Sequence, residues 1–265
     1  MKNLKMNMMN LELEKVLQLV VGWTKEVGKK QCVCFRGADL GIETKSNLSD
    51  VVTRVDKWSE AFLLKQIAHH FPDHSVLGEE SGEHDHHSDY LWVVDPLDGT
   101  NNYSQGLPVF TISIALKYRG NCLLGVVYAP YLNELYTAIR GQGAYLNGTP
   151  IHVASKTSLR CGVFCTGFPY DKDVHPVNNA DNLVRLLPLV RGIRRFGSAA
   201  YDLCSVAAGF LDGYWELGLK EWDVCAGICI VQEAGGVVRP FREDRGVAII
   251  AGNATMVDLL KDYIQ

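Results

Sequence analysis

The chain of 265 residues lacks long apolar runs, strong net charge and low-complexity tracts. No apolar stretch approaches the roughly 18 residues that a membrane-spanning helix needs, and residues 1–15 have no signal-peptide core. The formal charge of -4 and the pI near 6.1 give no general attraction for nucleic acid or anionic lipid. We therefore expect a soluble, cytoplasmic protein without a membrane partner, in which any anion is bound by local groups or by metal.

Cysteine pairs with the spacing of zinc or redox sites are also missing. The chain has eight cysteines, and none of them forms a CxxC pair. Because no secretion signal precedes them, a disulfide framework is not expected. The cysteines are predicted to be free thiols that fill buried, structural positions.

The composition, with 47% hydrophobic and 21% charged residues, permits a sizeable core. No internal repeat or clear linker interrupts the chain. We expect a single domain over residues 1–265. Its predicted sub-parts are an α+β half over residues 1–155 and an α/β half over residues 156–265.

Hydrophobic periodicity changes along the chain. Helical spacing over residues 11–30 and 56–71 predicts two amphipathic helices. Short β-rich runs between glycine and asparagine turns over residues 108–153 predict a meander of antiparallel strands. After about residue 160 strands and helices alternate, which is typical of an α/β arrangement, with helices predicted over residues 178–190, 198–211 and 223–234 and from residue 254.

The segment WVVDPLDGTNNY over residues 92–103 runs from an apolar strand into two acids and a glycine turn. Asp95 is predicted to end the strand, and Pro96 holds its backbone extended. If a helix begins near Asp98, its free N–H groups face the same place as the carboxylates. Acids that attract cations beside N–H groups that attract anions would suit a metal-assisted phosphate site, although Asp-Pro and Asp-Gly are also ordinary turn dipeptides.

Other acids follow the same pattern of lying at element junctions. Glu79 and Glu80 follow a short apolar run, where a solvated turn is the simpler interpretation. Asp223 opens an apolar helix and would be a good N-cap, and Asp56, three residues after Thr53, could be another. Each acid has a local structural explanation, but the four sites together indicate a shared function.

These segments together resemble a known family. GEES at residues 78–81, DPLDGTNNY at 95–103 and WDVCAG at 222–227 closely resemble, in this order, the inositol monophosphatase family of lithium-sensitive, magnesium-dependent phosphatases. The likeness extends from about residue 12 to residue 262. It implies a layered α-β-α-β-α sandwich of the inositol monophosphatase and fructose-1,6-bisphosphatase type, and a homodimer.

The resemblance also implies a site with two or three Mg²⁺ ions. Their ligands would be Glu79, Asp95, the Leu97 carbonyl, Asp98 and Asp223, with Asp95 bridging two ions. Thr100, together with Asp56 and Thr53, would orient the attacking water, and Glu79 would join them in catalysis. Phosphate would be bound by the N–H groups of Gly99 and Thr100, and the rest of the substrate by Ala199, Glu216 and Asp223.

The implied reaction is hydrolysis of myo-inositol monophosphate to myo-inositol and phosphate by direct attack of a metal-activated water. Fructose 1,6-bisphosphate or another sugar phosphate is the alternative substrate. Asn101 after the DGT turn is a residue that inositol phosphatases allow. Glu216 could instead simply face solvent.

An alternative of another class is an RNA- or transcription-associated binding protein that uses Arg191, Arg194 and Arg195. The intact acid set argues against a purely non-catalytic role, because buried carboxylates are costly without metal, and we expect no nucleic-acid partner. The histidines of residues 84–87 are interpreted as a solvated loop rather than a metal site.

Overall fold

The computed structural model describes residues 2–37, 40–47 and 50–265, with side chains from residue 12 onward. The single-domain prediction also covers Met1 and residues 38–39 and 48–49, which lie outside the described residues. Within the described ranges the helices are α1 Lys2–Cys34, α2 Arg54–His70, α3 Thr100–Ser104, α4 Ala180–Leu186, α5 Ala199–Ala207, α6 Glu221–Glu233 and α7 Ala254–Lys261. No helix among these residues is both long and apolar enough to cross a membrane.

The strands of the described residues form two large sheets and one small two-stranded sheet. The first half of the chain contains β1 Glu43–Thr44, β2 Val51–Val52, β3 Ser75–Gly78, β4 Gly82–His84, β5 Tyr90–Asp98, β6 Thr111–Tyr118, β7 Asn121–Ala129, β8 Glu134–Ile139, β9 Ala144–Leu146 and β10 Thr149–Ile151. The second half contains β11 Val163–Thr166, β12 Gly192–Arg194, β13 Gly213–Leu219, β14 Val237–Pro240 and β15 Val247–Gly252.

The first sheet has eight strands in the order β10-β9-β8-β7-β6-β5-β3-β4. From β5 to β10 each strand pairs antiparallel with the next, so the predicted meander is confirmed. Strand β3 lies parallel to β5. The residues that follow β3 and those that end β5 therefore come to the same edge of the sheet.

The second sheet has five strands in the order β12-β11-β13-β15-β14. Strands β12, β11 and β13 are parallel, and β15 runs antiparallel to its neighbours. The predicted alternation of strands and helices is confirmed, but the helix predicted over residues 178–190 was too long. It ends at Leu186 and continues as a 3₁₀ turn over Leu187–Leu189, because Pro188 lacks the N–H that an α-helix interior needs.

Side chains that alternate across each strand divide the core into layers. On β5, Trp92 and Val94 face α1 and α2, whereas Val93 faces α5 and α6. Helices α5 and α6 also pack against the inner face of the second sheet. The outer face of that sheet is covered by α7 and the end of α4. The order is helices, sheet, helices, sheet, helices, which is the predicted layered sandwich.

Helix α6 lies unusually close to the first sheet. A Cβ on Gly125 of β7 would lie 2.7 Å from the carbonyl oxygen of Ala226 and 3.2 Å from Cβ of Cys229. Glycine is therefore required there for the helix to pack at this distance. The close contact brings the first turn of α6, which carries Asp223, towards the end of β5.

The cysteines follow the sequence prediction only in part. All eight are free thiols, and four of them are buried: Cys165, Cys204, Cys225 and Cys229. Cys161 is exposed, contrary to the expectation of buried positions. It lies in a 3₁₀ turn that precedes β11 at the surface, where a thiol has no apolar partner to bury it.

Candidate active site

A pocket of about 220 Å³ lies where the ends of β3 and β5 meet the first turns of α5 and α6. Its walls include all the residues predicted to hold metal or substrate: Glu79, Asp95, Leu97, Asp98, Gly99, Thr100, Ala199, Glu216 and Asp223. Thr53 and Asp56 lie behind Thr100 rather than in the wall. The structure thus brings together acids that are 144 residues apart in the sequence.

Strand β5 carries the first two acids. It does not end at Asp95, as the sequence suggested, but continues to Asp98, with an irregularity in its pairing with β6 between these two residues. A break in register of this kind re-aims side chains, so that acids three residues apart both reach the pocket. Asp95 is 1% exposed, and its Oδ1 accepts a hydrogen bond of 3.0 Å from the N–H of Leu97.

Asp98 is fixed by the beginning of α5. Its Oδ2 accepts hydrogen bonds of 2.7 Å from Oγ of Ser198 and of 2.7 Å from the N–H of Ala200. Burial raises the pKa of Asp98 to about 6, although these two hydrogen bonds act in the opposite direction. The carboxylate is therefore held in one orientation by groups from a distant part of the chain.

Gly99 turns the chain from β5 into α3. Its φ of +93° lies in the left-handed region, and a Cβ would come within 3.1 Å of the Val109 carbonyl oxygen, so glycine is required. Helix α3 begins at Thr100, close to the start that the sequence predicted near Asp98. The N–H of Gly99 is directed at the Asp98 carboxylate, and a phosphate contact by this group stays a prediction.

Two acids predicted as possible N-caps occupy a different position. Asp223 is the third residue of α6, and its Oδ2 accepts a hydrogen bond of 2.7 Å from the N–H of the true N-cap, Lys220. Asp56 is likewise the third residue of α2, after the N-cap Thr53. The N-cap interpretation was wrong because an acid at the third position reaches back and accepts from the N–H of the N-cap residue, whereas an N-cap side chain accepts from N–H groups inside the first turn.

Thr100, Asp56 and Thr53 form a buried hydrogen-bonded chain. Oγ1 of Thr100 lies 2.8 Å from Oδ1 of Asp56 and 3.0 Å from the carbonyl oxygen of Leu97. The hydroxyl and the N–H of Thr53 both donate to Oδ2 of Asp56. Burial raises the pKa of Asp56, and the hydrogen bonds from Thr53 and Thr100 lower it.

Glu79 follows β3 and meets Asp95 and a lysine. The ammonium of Lys45 lies 2.8 Å from Oε1 of Glu79 and 2.6 Å from Oε1 of Glu80. The charge of Glu79 also raises the pKa of Asp95, so these two carboxyl groups lie close together. Burial raises the pKa of Glu79 to about 7 against the opposing charge of Lys45.

The acids of the pocket carry more negative charge than their protein neighbours balance. Burial raises the pKa of Asp95 well above its usual range, and the charges of three neighbouring acids raise it further. Burial and the charge of Asp98 raise the pKa of Asp223 as well. Such mutual repulsion is relieved by a cation, and oxygen ligands of this kind suit Mg²⁺ better than a softer metal.

In the described residues, no three or more His, Cys, Asp or Glu side chains are arranged closely enough to hold an ion as they stand. Whether the pocket suits a metal therefore depends on which carboxylate oxygens are available as ligands. On both Asp95 and Asp223 a backbone N–H holds one oxygen, which leaves the second for a ligand. The histidine loop offers less, because His84, His86 and His87 contact three separate protein groups, Ser81, the Pro72 carbonyl and Asp85.

Glu216 lines the same pocket as the metal-ligand candidates. It is 9% exposed, so the solvent-facing alternative was wrong. The hydroxyl of Tyr214 donates to its Oε2 at 2.8 Å, and burial raises its pKa to about 7. The carboxylate rests on Gly167, where a Cβ would lie 2.1 Å from Oε1, and no other residue type would leave that space.

Three residues of the site had no role assigned from the sequence. Lys45 pairs with Glu79, Ser198 holds Asp98, and Arg195 lines the pocket. Arg195 had been grouped with Arg191 and Arg194 in a basic patch, but those two do not line the pocket. Only Ser198 carried a local signal, as a serine N-cap before an apolar helix.

Two sheets alternate with three helical layers, and an acidic pocket lies where strand ends meet helix starts, which is the layered α/β fold that the resemblance implied. The chain belongs to the inositol monophosphatase family, whose family model matches residues 12–260.

Individual relatives agree with this assignment. The chain is 46% identical to the Nus factor SuhB of Pasteurella multocida over 208 residues, which is 78% of this chain and 77% of that protein. It is 44% identical to the inositol-1-monophosphatase of Synechocystis over 201 residues, covering 76% and 70% of the two chains. The crystal structure of the extragenic suppressor protein SuhB from Bartonella henselae superimposes with a TM-score of 0.87 at 35% identity, covering 94% of this chain and 98% of that one.

Proposed function

We propose that this protein hydrolyses phosphate monoesters with Mg²⁺, and that myo-inositol monophosphate is its substrate. The observation that carries the proposal is the convergence of four acids on one pocket beside the buried Thr100–Asp56 pair. A relative named inositol-1-monophosphatase, 44% identical, supports the choice of substrate. The homodimer, the cytoplasmic location and the lithium sensitivity expected from the family stay predictions.

Glu79, Asp95, the Leu97 carbonyl, Asp98 and Asp223 would hold the two or three Mg²⁺ ions. When bound, Mg²⁺ supplies the Lewis acidity that lowers the pKa of a water from about 15.7 towards about 7 and stabilises charge on phosphoryl oxygens. A bound cation would offset the repulsion among these acids, which is consistent with the raised pKa values of Glu79 and Asp95.

The residues behind the pocket would orient the attacking water. Asp56 is 0% exposed and is held on Oδ2 by Thr53, so its Oδ1 is fixed towards Thr100. When the Thr100 hydroxyl donates to Oδ1, its lone pairs face the pocket and can accept a proton from water. This arrangement turns the water oxygen towards the phosphorus and passes its proton towards Asp56, which is general-base assistance.

The other wall of the pocket would bind the substrate. The N–H groups of Gly99 and Thr100 are proposed to hold the phosphate, and the buried Glu216 would accept hydrogen bonds from polyol hydroxyls. Ala199 and Asp223 line the same pocket and would contact the ester oxygen side. A buried acid such as Glu216 in this pocket favours a leaving group rich in hydroxyls.

A second candidate is a role in transcription, which the name Nus factor of the 46% identical relative favours. Any RNA contact would then use Arg191 and Arg194, since Arg195 belongs to the pocket. Salt-dependent RNA binding that is lost when both arginines are replaced by alanine would support this role, and the absence of such binding would remove it.

Phosphate release should be measured with Mg²⁺, with and without lithium, from myo-inositol 1-phosphate, fructose 1,6-bisphosphate, NADP and 3′-phosphoadenosine 5′-phosphate. We expect the highest kcat/KM for myo-inositol 1-phosphate, and no release after Mg²⁺ is removed with EDTA. If no substrate is turned over in a magnesium-dependent way, the proposed function is wrong. A higher kcat/KM for fructose 1,6-bisphosphate would replace myo-inositol monophosphate as the proposed substrate, and the proposed reaction would stand.

A further inference from the structure

Arg195 lies between β12 and α5, and its side chain lines the pocket. It takes part in none of the ion pairs formed among the described residues, whereas Lys45, another pocket cation, is paired with two glutamates. A guanidinium that is always charged and has no protein carboxylate at hydrogen-bond distance is available to a ligand. The predicted metal and substrate ligands give this side chain no role.

The backbone around Arg195 is held in place. The side-chain amide of Asn102 donates to the carbonyl oxygens of Phe196, at 2.6 Å, and of Val109, at 2.7 Å. These bonds tie the chain after Arg195 to the segment that follows α3. Gly197 has a φ of +87°, and a Cβ there would lie 2.6 Å from Nη1 of Arg195, so glycine leaves room for the guanidinium. The backbone that carries Arg195 is therefore held in place, and its guanidinium has room beside Gly197.

Three acids surround the charge of Arg195. Its positive charge lowers the pKa of Asp98, Asp202 and Glu216, each of which is otherwise raised by burial. Asp202 is 1% exposed and lines the pocket, and its Oδ1 has no hydrogen-bond partner among the described residues. The guanidinium thus faces the pocket from a place where negative charge is already in excess.

This charge distribution decides which group Arg195 can bind. A second phosphate would gain the attraction of one arginine but would bring its own charge beside the buried acid Glu216. A hydroxyl is neutral, accepts a hydrogen bond from a guanidinium and donates one to a carboxylate. The pocket wall formed by Arg195 and Glu216 is therefore complementary to a polyol with neighbouring hydroxyls.

We propose that Arg195 is a specificity-determining residue, which donates hydrogen bonds to a hydroxyl of the leaving group beside the hydroxyl bound by Glu216. The pocket then selects polyol monophosphates over esters without hydroxyls and over bisphosphates. The inference rests on the proposed phosphatase function and narrows its substrate class.

The test compares Arg195→Ala with Arg194→Ala, the neighbouring arginine outside the pocket, on two magnesium-dependent substrates. Myo-inositol 1-phosphate has hydroxyls on its leaving group, and p-nitrophenyl phosphate has none. We expect Arg195→Ala to lower the ratio of kcat/KM for the first substrate to that for the second by about tenfold or more, the usual effect of losing a hydrogen bond to a charged group. Arg194→Ala should keep this ratio within about twofold of the wild type.

An unchanged substrate ratio in Arg195→Ala, or an equal loss on both substrates, would overturn the inference and leave the phosphatase intact. A wild-type protein that releases no phosphate from either substrate would instead contradict the proposed function itself.

Discussion

Asp98→Asn is expected to lower kcat by at least about 100-fold for every substrate that the wild type hydrolyses. Asparagine keeps the shape of the side chain, and its oxygen can still accept from Ser198 and Ala200, but the charge that attracts the cation is lost. Loss of a group that merely supports a metal ligand costs about 10–100-fold, so loss of the ligand's own charge should cost at least as much. Steady-state phosphate release at saturating Mg²⁺ measures the effect.

The same substitution should not destabilise the metal-free protein at pH 7. The folded-state pKa of Asp98, about 6, lies above its usual value, so the ionised form opposes folding as pH rises through 6, and a neutral amide removes that cost. Urea unfolding should therefore give a midpoint at or above that of the wild type. Asp85→Asn in the histidine loop is the control and should retain full activity; if it lost activity while Asp98→Asn did not, the metal would have been placed wrongly.

Thr100→Val should lower kcat by about 100-fold with little change in KM, because it removes the hydroxyl that links the pocket to Asp56 while nearly keeping the volume. It should also lower the free energy of unfolding by about 1–3 kcal/mol, since Oδ1 of the buried Asp56 loses its partner. Thr100→Ser retains the hydroxyl and should remain within a few-fold of the wild-type kcat. Equal losses in the valine and serine variants would contradict the role given to the hydroxyl, because serine retains it.

Local patterns in the sequence were sufficient for much of the site. Asp95, Asp98 and Asp223 each lie where an apolar run meets a turn or a helix start, and such junctions have recognisable composition. Their ordered segments together were specific enough to indicate the family. The strand meander and the later alternation of strands and helices followed from the change of hydrophobic period along the chain, because a strand buries alternate residues and a helix buries every third or fourth. The layered sandwich itself was implied by the family resemblance.

Contacts between distant segments could not be predicted in this way. Ser198 binds Asp98 across 100 residues, and Gly167 makes room for Glu216 from another strand. Neither contact leaves a periodic signal near either residue, because its partner is set by how the layers pack. The different position of Arg195, which lines the pocket while Arg191 and Arg194 do not, has the same origin. Arginines this close in the sequence look like one basic patch, and only the path of the backbone before α5 shows which of them lines the pocket.

The sequence also could not show which position of the first helical turn an acid occupies. Asp56 and Asp223 were correctly placed at helix starts, but both an acid at the N-cap and an acid three residues later can accept from free N–H groups at a helix start. Only the backbone of Thr53 and Lys220, which is extended at both residues, distinguishes the two arrangements. For Asp223 the difference matters, because reaching back to Lys220 fixes which oxygen is left for the pocket.

The central claim is that the acids of one pocket bind divalent cations. Anomalous X-ray diffraction from crystals of the wild-type protein soaked in Mn²⁺, which accepts the oxygen ligands of Mg²⁺ and has a measurable anomalous signal, tests it most directly. We predict at least two peaks in the pocket, both bordering Asp95, with Glu79 beside one and Asp98 and Asp223 beside the other. An empty pocket in a crystal that binds Mn²⁺ elsewhere, for example at the histidines of residues 84–87, would contradict the account.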